Sequence, residues 1–328
     1  MTGRLLVLAA TFFVSVTSAV AVELKFGIEA SNKGEPGFAT FVAASSLKDA
    51  DLEVRANPLR SESEVLQALL KGSLDVAAVT IETLIQGKYE RQPKFAAALA
   101  LPFQFEGSEQ LFAFQDSVSG EVLLDDINQT GLVPLGYWNK GVSTLVTKQP
   151  VASMVGFKGL KVAAWQSGPS SQILHGFGAI TTDLHKVAIH EVFAENRADA
   201  YEIVSSSQLD WKMVFPAKSS AIAGFRPGAG VFVANQVFWD SLSPSQKKSL
   251  VAAAKDADRV LRDSALNGEA QIRKFVVSAK LILLERSQRE QFVIDSQAAY
   301  AGITDKATAQ RQINLLLTAK SASQKKRF

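Results

Sequence analysis

The chain has 328 residues, 47% of them hydrophobic, with 35 lysines and arginines against 32 aspartates and glutamates and a formal charge of +3. That length fills more than one core, since chains beyond roughly 250–300 residues divide into domains, and the interspersed charge offers no nucleic-acid surface, Lys325-Lys326-Arg327 being a solvated tail. With no cysteine, a disulfide framework and a cysteine-borne lipid anchor are both excluded.

At the N-terminus, Arg4 precedes a largely apolar run over residues 5–14, and Ala19-Val20-Ala21 places small residues at the two positions that a signal peptidase reads. The expectation is a leader, residues 1–21, cleaved after Ala21 to release a periplasmic protein. The run falls short of the about 20 apolar residues that a membrane span needs.

Beyond the leader, strands alternate with helices, the pattern of an α/β architecture. Residues 24–28 read as a strand, 29–37 as a polar loop, 38–47 as a helix and 52–56 as a second strand. Ser61-Glu62-Ser63-Glu64 has the spacing of a capping box, Val65, Leu66, Leu69 and Leu70 form the buried stripe behind it, and Gly72 stops the helix before a third strand at 74–79. A helix is predicted over 108–114. Apolar runs at 132–138 and 160–165 read as strands flanking a connector that carries the turn residues Gly141, Pro150, Gly156 and Gly159. We take this stretch as a crossing between two domains and as one wall of a cleft. After a strand at 231–235, Ser243-Pro244-Ser245-Gln246 supplies a cap, a proline at the first helical position and a capping-box glutamine for a long helix free of Gly or Pro until Gly268. The last helical stripe is Ile313, Leu315, Leu316 and Leu317.

Several of these segments carry a second message. Gly136-Tyr137-Trp138, then Phe157-Lys158-Gly159-Leu160-Lys161-Val162, together with Gly72 to Ala77, Leu101-Pro102-Phe103-Gln104-Phe105 and Val231 to Asn235 followed by Phe238-Trp239-Asp240-Ser241-Leu242, resemble the periplasmic solute-binding proteins of TRAP transporters in order and spacing. The resemblance implies an α/β, two-domain periplasmic binding protein (Venus-flytrap) fold with hinge-crossing strands and a long domain-spanning helix. Domain I is expected to comprise 22–140 plus 229–268, and domain II 141–228 plus 269–328. It also implies a small organic solute as ligand, and a small and a large membrane permease subunit as partners. The family presents an arginine near Ser143 and a more constant one, which grips a substrate carboxylate, at Ala163, with a further polar contact near Gln166. Its usual substrate-facing asparagine is Ile203 in the run Ala198 to Val204, which also carries Glu202.

The residues themselves carry no Gly-x-Gly-x-x-Gly, Walker loop, Gly-x-Ser-x-Gly or His-Glu-x-x-His, so no cofactor, no metal site and no catalytic residue is expected. His175, His185 and His190 read as surface or strand-end residues, and Asp125, Asp126, Asp256 and Asp258 as solvated helix faces. What remains is a cleft beyond the carboxyl ends of strands. Its expected ligand-binding residues are Glu29, Asn32, Arg60 and Thr80 from one domain, and Trp138, Asn139, Ser143, Ala163, Trp165, Gln166, Ser167, Glu202 and Arg226 from the other or from the crossing strands. Lacking the two family arginines, such a cleft favours a neutral or largely aromatic ligand unless Arg60, Lys140 or Arg226 supplies the cation, Arg226 being the preferred substitute. The alternative reading is a binding protein turned periplasmic partner or sensory protein that no longer delivers solute.

Overall fold

The computed structural model describes residues 21–34, 36–45, 52–164, 169–183, 195–204, 220–278, 282–283 and 286–296. Its strands are β1 (Val22–Glu29), β2 (Leu52–Leu59), β3 (Val76–Thr80), β4 (Leu132–Thr147), β5 (Lys161–Ala164), β6 (Ile180–Asp183), β7 (Ala200–Val204), β8 (Ser220–Asn235) and β9 (Ile282–Leu283). The helices are α1 (Pro36–Ser45), α2 (Glu62–Leu70), α3 (Ile81–Leu84), α4 (Ser108–Gln115), α5 (Val118–Asn128), α6 (Pro169–Gly176), α7 (Gln236–Ser241), α8 (Pro244–Ser278) and α9 (Arg286–Ser296).

The strands form one mixed sheet in the order β2-β1-β3-β8-β4-β7-β5-β6, with β9 beside β8. Strands β4 and β8 are 16 residues each and pair antiparallel along most of their length. Strand β3 covers β8 only between Gly230 and Ala234, and β7 covers β4 only between Ser143 and Thr147. The sheet therefore has two halves that share two long strands. In the middle, residues 139–142 of β4 and 224–229 of β8 have neither β3 nor β7 alongside them.

This corrects the predicted connector after residue 138. Gly141, at φ +75°, marks a register break within a continuous strand, since an unpaired glycine in the left-handed region bends a ladder without ending it. At Gly230 the constraint is close approach, because a Cβ there would lie 2.7 Å from the Val79 carbonyl oxygen.

Each half buries its own apolar side chains. In the β1 half, Val65, Leu66 and Leu69 of α2 pack with Leu111 and Phe112 of α4 on one face. On the other face Phe26, Phe38, Phe41, Trp138 and Phe232 pack with Leu250, Ala254, Ala257 and Leu261 of α8. The β5 half is built on Phe157, Phe177, Phe225 and Phe292. The Leu-Pro-Phe-x-Phe run ties the two halves together. Phe103 turns into the left-handed region at φ 61°, donates its N–H to the Phe225 carbonyl at 2.7 Å and lays its ring among Phe177, Phe225 and Phe292, whereas Phe105 packs on Phe114 in the β1 half.

The caps follow the sequence closely. Ser61 Oγ accepts from the Glu64 N–H, although the Glu64 carboxylate reaches back to the N–H of Arg60 and not to that of Ser61. Ser243 and Gln246 make the reciprocal capping box. Helix α8 then runs through Gly268 to Ser278, packing on β4 and α1. A mid-helix glycine costs about 1 kcal/mol against alanine, which the burial of Ala265 and Ile272 on either side readily offsets. A further correction concerns Asp126. It is buried, and its carboxylate accepts from the N–H groups of Phe95 and Ala96 at the start of the 3-10 turn Ala96–Ala100. Burial raises its pKa, and those two bonds together with Arg91 oppose the rise.

Candidate functional site

The uncovered middle of β4 and β8 gathers polar side chains from both halves. Arg226 lies within β8, not on an exposed loop, and its side chain is 12% exposed. Its Nε donates to Glu202 Oε1 at 2.9 Å and its Nη2 to Glu202 Oε2 at 3.0 Å, a bidentate pair with β7 of the second half. Its Nη1 donates to Glu82 Oε1, in the first turn of α3 beyond the carboxyl end of β3. The backbone N–H of Arg226 donates to Ser143 Oγ at 3.1 Å. Burial works against the guanidinium charge, but attraction and hydrogen bonds from Glu202 and Glu82 outweigh it and hold the pKa above the ordinary arginine value.

A second polar group sits at the end of β1. Lys140 Nζ donates to Asn32 Oδ1 at 3.1 Å and lies 5.8 Å from the centre of the Trp138 ring, while Asn32 Nδ2 donates to Glu29 Oε2 at 3.5 Å. Thr80 ends β3 and caps α3. Its N–H and its hydroxyl both donate to Glu62 Oε2, at 3.0 and 2.6 Å, and the Thr83 hydroxyl donates to the same oxygen at 2.9 Å.

Other expected site residues are placed elsewhere. Trp138 is 3% exposed and stacks on Phe232 with ring centres 5.4 Å apart, inside the core under α8. Asn139 is fully buried. It exchanges two hydrogen bonds with Gln115 of α4, at 2.7 and 2.8 Å, and donates to Asp258 of α8 at 2.6 Å. Ala163 is buried on β5 between Thr182 of β6 and Tyr201 of β7. Arg60 is exposed at the end of β2. Trp165, Gln166, Ser167, His185 and His190 lie outside the described residues. His175 is exposed and within 2.9 Å of the Thr181 hydroxyl. Among the described residues, no group of three or more His, Asp or Glu side chains could hold a metal ion.

The reading of Asp258 as a solvated helix residue is corrected by the same network. Its side chain is 14% exposed, pairs with Arg262 at 2.7 Å and accepts from Asn139, while Arg262 also reaches Asp116 at 2.8 Å. Burial pushes the Asp258 pKa up to about 6, against the lowering pull of Arg262 and Asn139. A carboxyl whose folded pKa lies above its unfolded value of about 3.9 binds its proton more tightly when folded, so its contribution to stability falls as pH rises through that window. Thermal melts between pH 7 and pH 5 should therefore show an acid-side gain that Asp258→Asn abolishes. An identical pH profile for the variant would show that Asp258 is not its source.

Glu82 escaped the sequence reading. An acidic residue two places after a helix-capping threonine is ordinary first-turn chemistry, so nothing local marks it as the partner of a residue far along the chain. The tertiary register of β3 on β8 brings it there.

Residues 44–307 match the family described as bacterial extracellular solute-binding protein, family 7. Among curated proteins the chain is similar to an uncharacterised protein of Sinorhizobium fredii, 24% identical over 81% of this chain and 50% of the relative. It is also similar to the C4-dicarboxylate-binding periplasmic protein DctP of Rhodobacter capsulatus, 22% identical over 63% of this chain and 61% of the relative. The chain thus spans half to about three fifths of the length of these curated relatives. Among solved structures, a TRAP periplasmic solute-binding protein of Shewanella oneidensis with bound succinate aligns at TM-score 0.71 and 21% identity, covering 91% of this chain and 99% of that one. One from Ochrobactrum anthropi aligns at TM-score 0.75 and 20% identity, covering 92% and 96%. These likenesses establish the mixed α/β fold of the TRAP periplasmic solute-binding proteins, in which α8 packs on both β4 and α1. With four fifths of its length inside the family match, the chain belongs to the bacterial extracellular solute-binding proteins of family 7, a binding family and not an enzyme family.

Proposed function

We propose that the chain is the extracytoplasmic solute-binding subunit of a TRAP-type secondary transporter, exported to the periplasm with its leader removed after Ala21. It captures a small organic solute between 22–140 plus 229–268 on one side and 141–228 plus 269–328 on the other, then delivers it to a small and a large membrane subunit. The observation that carries this reading is the convergence of Glu82, Ser143 and Glu202 on Arg226, at a point of β8 that β3 does not cover and where β7 begins to cover β4. A solute bridging the halves there favours the closed state, because only that state offers contacts from both sides.

Solved relatives hold small organic acids, succinate in the Shewanella oneidensis protein and L-malate in one from Pseudomonas aeruginosa. This chain has Ala163 where the resemblance puts the carboxylate-gripping arginine, and its Arg226 is engaged by two glutamates. A bare carboxylate entering beside Arg226 loses hydration worth several kcal/mol and meets a guanidinium already neutralised by Glu82 and Glu202. The solute is therefore a neutral or weakly charged organic molecule. Native mass spectrometry of protein purified without refolding identifies any retained solute, and calorimetry with matched acid and amide pairs ranks the two chemistries. Tighter binding of the amide, with a fall in radius of gyration by small-angle scattering, is expected. Micromolar binding of the simple acid to the unmodified protein would reverse the assignment of ligand charge.

A further inference from the structure

We infer that Glu82 is a built-in competitor for carboxylate solutes, occupying on Arg226 the donor edge that a solute carboxylate would otherwise take. This inference rests on the cleft reading above. Glu202 chelates the guanidinium through Nε and Nη2, which fixes its plane and directs Nη1 toward the opposite half of the molecule. The group that meets Nη1 there is the carboxylate of Glu82, carried on α3 by the other half. A solute acid offers the same chemistry as Glu82 but arrives from dilute solution. The glutamate is tethered and prepositioned, at an effective concentration in the millimolar range or above for a short tether. A micromolar acid therefore loses the competition, whereas a solute that does not need the guanidinium is unaffected by it.

Glu82 is thus the specificity-determining residue of the cleft, and its removal should convert the protein to an acid binder. The glutamine variant is suited to this because it keeps the side-chain length and a hydrogen-bond acceptor while surrendering the charge. Hydrogen bonds to a charged group lie in the range that corresponds to about tenfold to a hundredfold in affinity.

The experiment is calorimetry of the full chain with succinate and with succinamide on unmodified protein, on Glu82→Gln and on Glu82→Gln/Arg226→Gln, each checked for folding by thermal melt. The expected result is a gain for succinate of at least tenfold in Glu82→Gln, little change for succinamide, and loss of the gain in the double variant. If Glu82→Gln does not fold, Glu82→Asp retracts the carboxylate by one methylene and should give a smaller gain of the same sign. A folded Glu82 variant without a succinate gain, or a gain that survives loss of Arg226, overturns the inference. The cleft reading is judged separately, by whether the unmodified protein retains or closes on any solute.

Discussion

Replacing Arg226 by alanine should destabilise the protein by about 3–5 kcal/mol, the range for removing one partner of a buried ion pair. Its side chain is 12% exposed, and those of its partners Glu82 and Glu202 are 18% and 6% exposed. Without the guanidinium, two carboxylates from opposite halves face each other with their shared cation gone. Most of the loss is the cost of charge left buried, so a second change, Glu202→Gln, should restore part of it. For a chain of this size the single variant should melt roughly 10 °C lower, at about 2–4 °C per kcal/mol. Thermal and urea melts of Arg226→Ala, Glu202→Gln and the double variant close the cycle. Additive effects would mean that the arginine and the glutamate are not energetically coupled.

Trp138→Ala is expected to cost a similar amount, about 3–5 kcal/mol, because it empties the largest side chain from a close-packed aromatic group. The indole stacks on Phe232, which in turn stacks on Phe41 at 5.0 Å, and α8 seals the cluster from above. The reading of Trp138 as a ligand platform makes the opposite forecast, a large loss of affinity with little change in melting. Melting curves and solute affinity measured on the same variant therefore separate the two. A stable variant with abolished binding would return Trp138 to the cleft, while an unstable one whose folded fraction still binds leaves it in the core.

Much of the fold was legible in the chain itself because its signals are local. Ser61 with Glu64 and Ser243 with Gln246 mark helix starts through side chains that reach only three or four residues, and Val65, Leu66 and Leu69 repeat at helical spacing within one turn or two. Gly141 misled for a related reason, while Gly268 sits inside a helix that the sequence reading left open beyond it. Glycine reports only that the backbone is permissive, and whether that permits a turn, a bulge in β4 or an uninterrupted α8 depends on what packs alongside.

The candidate site was less legible. The fold brings Arg226, Glu202 and Ser143 together, whereas the rule of position after a strand also put forward Asn139, whose amide is spent on Gln115 and Asp258, and passed over Glu82. A residue's place along a strand says which end it occupies, whereas the face it presents depends on pleat, twist and bulge. The register breaks between residues 139 and 144 of β4 reset that face in the very segment where the site lies.

The amino-acid sequence alone determined the alternation of strands and helices, the starts of its helices, the lack of any disulfide and the family to which the chain belongs, since each is written in composition, short-range spacing or ordered motifs. Only the tertiary structure decided that Arg226 is shared between two glutamates from opposite halves, that Trp138 is core, and that Asp258 is buried with Asn139 and Arg262. These depend on contacts between segments far apart in the chain, and the energy of a charge or an indole is set by what surrounds it once those segments meet.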